Sequence, residues 1–370
     1  MTAKTKHTLK LLFGNLVNNN IAIEGAKTLP WWVATLMFVI GSFLPVIPIM
    51  VNASKTKGQD FVSSSTIYSY DQALVTCGVE LKAADLYKFE IKENELIASH
   101  RENASDAWTT DHVMSSTWTN NADLTPVATY NSVFEGKTQR LLNVYYSDRP
   151  LTGKTNTINA LVKSIEAQKY VLGTDEIYNA EVHTEIDAKK GVYTPSYLLL
   201  YKQGLYSVIY KVNTTSAGSS TYAGLDWKHA DFENLLDRVT TVEGKEINVL
   251  DKTYVDASFA NWKQIFNDSY LNQRVKTFWI NSGMYYGIYL VLGVFMGLMI
   301  FLLTRGKANP NRGLTFWITT KISWIACVAP AILAMIVGFF WSMAAGLGFI
   351  VLFGLRIMWL SMRALNPTQQ

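Results

Sequence analysis

Three stretches without a charged side chain decide what this chain can become. Residues 31–51 are 21 in a row, residues 282–304 are 23, and residues 322–355 are 34. About 20 apolar residues in a helix cross the hydrocarbon core of a bilayer, so each of the first two is a predicted span. The third is too long for one helix. With apolar character resuming after Arg356 as far as Leu360, it suffices for two, joined by a turn near residues 340–344, where Gly338, Ser342 and Gly346 relax the apolar pattern. The expected fold is an integral membrane protein, a four-helix transmembrane bundle with helices at 31–51, 282–304, 321–340 and 344–362. Between the first and second lies one α+β extracytoplasmic domain, 52–280.

Charge supplies the orientation. Residues 52–280 hold 23 Lys and Arg against 28 Asp and Glu, which leaves 10 basic residues and one carboxylate, Glu24, for the rest of the chain. Lys4, Lys6, Lys10 and Lys27 precede the first span; Arg305, Lys307 and Arg312 follow the second; Lys321 opens the third; Arg356 and Arg363 close the fourth. Cytoplasmic flanks collect Lys and Arg. The N-terminal segment 1–30, the basic loop 305–320 and the tail 363–370 are therefore expected inside a cell membrane, and the acidic middle segment outside. Arg356 falls within the last span, where a long side chain can snorkel to the interface.

The first apolar run starts some 30 residues into the chain and is too long for a signal-peptide core, so it is expected to remain as an anchor. Cys77 and Cys327 fall on opposite sides of this division, which excludes a disulfide scaffold. An exported domain of this length can still hold itself together through an apolar core. The four N-x-Ser/Thr sequons, at Asn52, Asn103, Asn213 and Asn267, are what chance places in a chain rich in Asn, Ser and Thr.

Within the middle segment, residues 87–99 alternate around Glu93-Asn94 as a hairpin, and 142–147 read as a strand. Residues 155–168 read as a helix with Leu161, Val162 and Ile165 on one face. Residues 197–212 read as two strands joined by Gln203-Gly204. A small-residue loop at 214–220 and a helix over 226–239 follow. Phe259, Trp262, Phe266 and Tyr270 recur at helical intervals in a segment, 256–280, that is predicted to run almost directly into the second span. Residues 52–66 read as a looser linker. Residues 1–20 have the pattern of a short basic amphipathic helix, which Asn18, Asn19 and Asn20 break.

Few residues suggest chemistry. The spans carry no Asp, Glu or His, which argues against a proton-driven carrier. Gly283 and Gly287, and Gly293 and Gly297, form two G-x-x-x-G pairs expected to bring helix backbones together. Pro45, Pro48 and Pro330 remove backbone donors inside spans and are expected to kink them. Arg305, Lys307, Arg312 and Lys321 are expected to meet anionic inner-leaflet lipid. Topology thus accounts for the basic pI of 8.8 without nucleic acid. His100, His112, His183 and His229 lack metal-ligand spacing, and no cofactor-binding motif occurs. Asp106, Asp111 and His112 beside Trp108 and Trp118 have the composition of a sugar-stacking loop, which interface tryptophans explain as well.

The pre-span stretch 21–30, the segment Phe89-Glu90-Ile91-Lys92-Glu93-Asn94-Glu95-Leu96, and Asn311-Arg312-Gly313-Leu314-Thr315-Phe316-Trp317 leading to Ala329-Pro330 resemble a family of Gram-positive and mollicute membrane proteins of uncharacterised activity known as maltodextrin-utilisation proteins. The resemblance implies the same layout and a supporting role near an importer or the envelope. Here the outer domain is longer, and the family offers no active site to carry over. The functional expectation is a non-enzymatic envelope accessory or scaffold whose outer domain binds another envelope protein. The alternative is a permease-like transmembrane subunit of an ABC-type system, against which stands a 305–320 loop without any acid.

Overall fold

The structure, a computed structural model, describes residues 11–62, 70–83, 87–100, 127–134, 137–147, 161–163, 165–166, 170–171, 186–187, 192–193, 195–213, 216–307 and 309–365. The chain forms two compact units, one of residues 57–274 and one of residues 1–56 with 275–370.

The 57–274 unit is built on a five-stranded sheet in the order Ser216–Asp226, Gly204–Asn213, Ser196–Tyr201, Lys137–Ser147, Ala128–Phe134. All neighbours are antiparallel except Lys137–Ser147 with Ser196–Tyr201, which run parallel. A parallel pair needs a long crossover. Ser196–Tyr201 is buried along its whole length, because its alternating side chains serve two cores. Leu198 and Leu200 join the larger one, and Tyr197, Leu199 and Tyr201 the smaller. The smaller core is closed by Leu161, Val162 and Ile165, which lie in helical backbone on the crossover.

Helix Tyr70–Ala83 covers the larger core with Ala73, Leu74, Cys77 and Leu81, one helical stripe. Val255, Phe259, Trp262 and Phe266 add a second stripe from the start of helix Lys252–Leu303. Each Val, Leu or Phe side chain among them contributes about 1.5–3 kcal/mol when removed from water.

The hairpin Tyr87–Lys92 with Glu95–His100 turns at Glu93 and Asn94, whose φ values of 53° and 68° are those of a two-residue type I′ turn. Ser196–Tyr201 and Gly204–Asn213 turn at Lys202-Gln203. A Cβ at Gly204 would overlap the Leu225 carbonyl, which a bulge between Tyr222 and Leu225 brings close.

Three sequence expectations in this unit are corrected. The small-residue segment 214–220 is not a loop as far as it is described: Ser216–Asp226 is an edge strand, its Ser, Gly and Thr residues carried into the sheet by backbone pairing with Gly204–Asn213. The helix expected over 226–239 shrinks to Leu235–Thr240, capped by Asn234. Ahead of it, Trp227 donates its Nε1 proton to the Tyr201 carbonyl (2.9 Å), which holds that stretch against the sheet. The linker expected at 52–66 is largely structured as far as it is described, to residue 62. Helix Val46–Lys55 runs to Lys55, and a 3₁₀ turn, Gly58–Phe61, lies on helix Lys252–Leu303. There the Asn267 amide accepts from Gln59 N (2.7 Å) and donates to Gln59 Oε1 (2.9 Å).

Among the described residues, four helices are long and apolar enough to cross a membrane: Trp31–Lys55, Lys252–Leu303, Phe316–Phe340 and Ala344–Ala364. At 1.5 Å per residue, the 25 residues of Phe316–Phe340 span about 37 Å. Lys252–Leu303 is one uninterrupted helix of 52 residues. The last two spans are separated at Trp341, whose backbone is extended (φ −144°, ψ 94°). At that apex a Cβ on Gly338 would lie 2.9 Å from Pro48 Cγ.

The proline expectations resolve unequally. The first span breaks at Leu44-Pro45, between helices Trp31–Phe43 and Val46–Lys55. Pro48 makes no kink of its own, because it lies in the first turn of the new helix, where no intrahelical donor is required. The third span breaks at Cys327, ahead of Pro330.

Candidate membrane and lipid interface

The packing of the helical unit begins with small residues. The Gly293 carbonyl accepts from Ser323 Oγ (2.8 Å), and its missing Cβ makes room for the Phe38 ring, which stacks on Trp324 at 4.9 Å. A Cβ on Gly297 would sit 2.7 Å from Thr320 Cα. Helix Lys252–Leu303 therefore meets both the first and third spans through this pair. The earlier pair is different: at Gly283 and Gly287 a Cβ would meet nothing within 4 Å. Ten residues turn a helix through about 1,000°, so the two pairs point about 80° apart. Gly297 brings a neighbouring backbone close, at Thr320, while Gly293 makes room for the Phe38 ring.

Helix Asn19–Thr28 is an element the sequence reading missed. The Asn triplet read as a break is its start: the Asn18 side chain accepts from Asn20 N (2.9 Å) as an N-cap. That capping signal before Ala22, Gly25 and Ala26, all buried, could have revealed it. The helix packs on Phe316–Ala326.

Two cations turn inward here. Lys321, expected at the lipid headgroups, is 7% exposed, and its Nζ donates to the Leu29 carbonyl (2.6 Å) at the C-terminal end of helix Asn19–Thr28. A cation at a helix C-terminus meets the negative end of the dipole and an unpaired carbonyl, which outweighs snorkelling. Arg356 likewise does not simply snorkel. It donates through Nη1 to the Ala326 carbonyl (2.9 Å), through Nε to Asn19 Oδ1 (3.3 Å), and through Nη2 to the Asn15 carbonyl.

Arg305 spends its side chain on its own loop, donating to the carbonyls of Arg312 and Leu314, both at 3.0 Å, and lying over the Phe301 ring. Asn311 ties that loop to the C-terminal turn through the Leu365 carbonyl (2.9 Å). Lys307 and Arg312 are exposed on the loop, and Arg363 is exposed on the turn, over Trp359. Trp31 and Trp317 meet edge to face at this end (6.0 Å), with Trp32 and Trp317 68% and 64% exposed. At the opposite ends of the spans, Trp279 and Trp341 are exposed. Such girdles suit the two faces of a bilayer.

Asp106, Trp108, Asp111, His112, Trp118 and His183 lie outside the described residues. Among the described residues no cluster of His, Cys, Asp and Glu could hold a metal. Cys77 and Cys327 are free and buried, and burial, then the nearby Glu80 charge, pushes the Cys77 thiol well above its ordinary range.

These features define a protein that has, among the described residues, four helices of membrane-crossing length and apolarity and a sheet-containing region. No protein-family model, no curated protein and no solved structure matches the chain.

Proposed function

We propose that the chain is a multi-pass protein of the cell membrane, with both termini cytoplasmic. In this reading the sheet unit stands outside and binds another envelope protein, making the chain a non-enzymatic accessory or scaffold. The observation that carries this is the placement of carboxylates. The helical unit holds twelve Lys and Arg against Glu24 alone, while the other 28 carboxylates fall in residues 57–274. The ion pairs follow that division. Lys82 with Asp237 and Glu246, Lys88 and Lys92 with Glu90, and Lys202 with Glu95 all lie in the sheet unit.

A water-facing helical unit would also expose Phe340 (89%), Val291 (71%) and Leu347 (70%), whereas hydrocarbon covers such residues without cost. The sheet unit has two apolar cores of its own, as a part working away from the bilayer requires. The resemblance to maltodextrin-utilisation proteins implies a supporting role near an importer or the envelope.

The test has two steps. Protease added to spheroplasts should cut within residues 57–274 and spare a C-terminal tag; the reverse pattern removes the topology. Crosslinking in intact cells followed by affinity purification in mild detergent should then recover a reproducible envelope partner. A chain that repeatedly emerges alone rejects the scaffold reading, and one that emerges with a cytoplasmic ATPase replaces it with the transport-subunit reading.

A further inference from the structure

We propose that the 305–314 loop and the Leu360–Ala364 turn together form a docking surface for the phosphate groups of anionic phospholipid, with Lys307, Arg312 and Arg363 supplying the charge. The inference rests on the helical unit being embedded in a membrane. It divides the cations of residues 305–363 into those already used and those left over. Lys321 and Arg356 have their donors engaged inside by carbonyls and Asn19, and Arg305 braces its own loop. Lys307, Arg312 and Arg363 remain exposed, and the helical unit has no carboxylate but Glu24 to offer them.

The surface is built before any ligand arrives. Gly306 O accepts from Asn309 N, Asn309 O from Arg312 N and Asn311 O from Leu314 N, each at 3.1 Å. Together with the Arg305 contacts and the Asn311–Leu365 bond, these fix loop and turn side by side. Asn309 anchors the loop from within: it is buried, and its Oδ1 accepts from Asn311 N (2.8 Å). Exposed Trp317 and Trp359 flank the cations, as side chains at headgroup depth do. Opposite charge, several oxygens and a nearby acyl layer are combined in an anionic phospholipid headgroup; free phosphate shares the first two only.

The full chain, purified in a neutral detergent, is unfolded by heat with added short-chain phosphatidylglycerol, with phosphatidylcholine, or with inorganic phosphate. Phosphatidylglycerol should raise the midpoint by roughly 5 °C over phosphatidylcholine, and the combined Lys307→Gln, Arg312→Gln, Arg363→Gln variant should lose that difference while its lipid-free midpoint stays within about 1 °C. Equal shifts from both lipids, or a variant that keeps the preference, overturn the proposal. An equal shift from inorganic phosphate overturns the lipid assignment in favour of a free anion. A chain extracted from liposomes by carbonate contradicts the membrane reading itself, whereas one that stays inserted without lipid preference contradicts only this inference.

Discussion

Arg356 donates to the carbonyl of Ala326, the acceptor that Pro330, four residues further on, leaves without an amide proton. A side chain on the fourth apolar helix thereby completes the hydrogen bonding of the third. The same guanidinium holds Asn15 and Asn19, so one residue ties the N-terminal segment to two spans.

Replacing Arg356 with Met should cost roughly 2–4 kcal/mol, since a buried carbonyl and an Asn side chain lose a charged donor. Pro330→Ala restores an N–H for the Ala326 carbonyl and should shrink that cost by about 1 kcal/mol. A double-mutant cycle by thermal unfolding in detergent measures the coupling; strictly additive effects would mean the bond contributes nothing.

The two glycine pairs should respond differently to enlargement. Gly297→Leu drives a side chain against the Thr320 backbone, and Gly293→Leu displaces the Phe38 ring, each costing about 1–3 kcal/mol or more. Gly283→Leu and Gly287→Leu, with open space at the Cβ, should stay within about 0.5 kcal/mol. Unfolding midpoints of the four variants separate the cases, and a destabilised Gly283 variant would contradict the packing.

Gly58 sits where any Cβ would overlap the Phe266 carbonyl. Backbone cannot yield as a flexible side chain does, so Gly58→Ala should cost about 1–3 kcal/mol and break the Gln59–Asn267 amide pair. Hydrogen exchange at the Gln59 amide should rise well beyond the global change; unchanged protection there would refute the docking of this turn.

Alkaline pH should weaken the sheet unit. Burial raises the Cys77 thiol, and burial with the Asp226 charge raises the Tyr201 hydroxyl. Both stay neutral in the folded chain and ionise in the unfolded one. Their stabilisation is complete below the unfolded values, near 8.5 for Cys and 10 for Tyr, and falls as pH rises past them, by up to about 1.4 kcal/mol per pH unit for each group. Maleimide should leave Cys77 unmodified at pH 8 until denaturant is added. Labelling of the native chain at the rate of a free thiol would show the site to be open.

Four span-length helices were legible in the sequence because hydropathy is a local property: 20 uncharged apolar residues make a span whatever they later touch. The hairpin at Glu93-Asn94 and the stripe Phe259, Trp262 and Phe266 were legible for the same reason, each being written in adjacent letters. Only the tertiary structure decided which glycines pack, because their direction depends on how a long helix is rotated against its neighbours. It also turned Lys321 and Arg356 inward. Their partners, Leu29 and Asn15, lie 292 and 341 residues away, and a free carbonyl becomes visible as a partner only once the fold has brought it within reach.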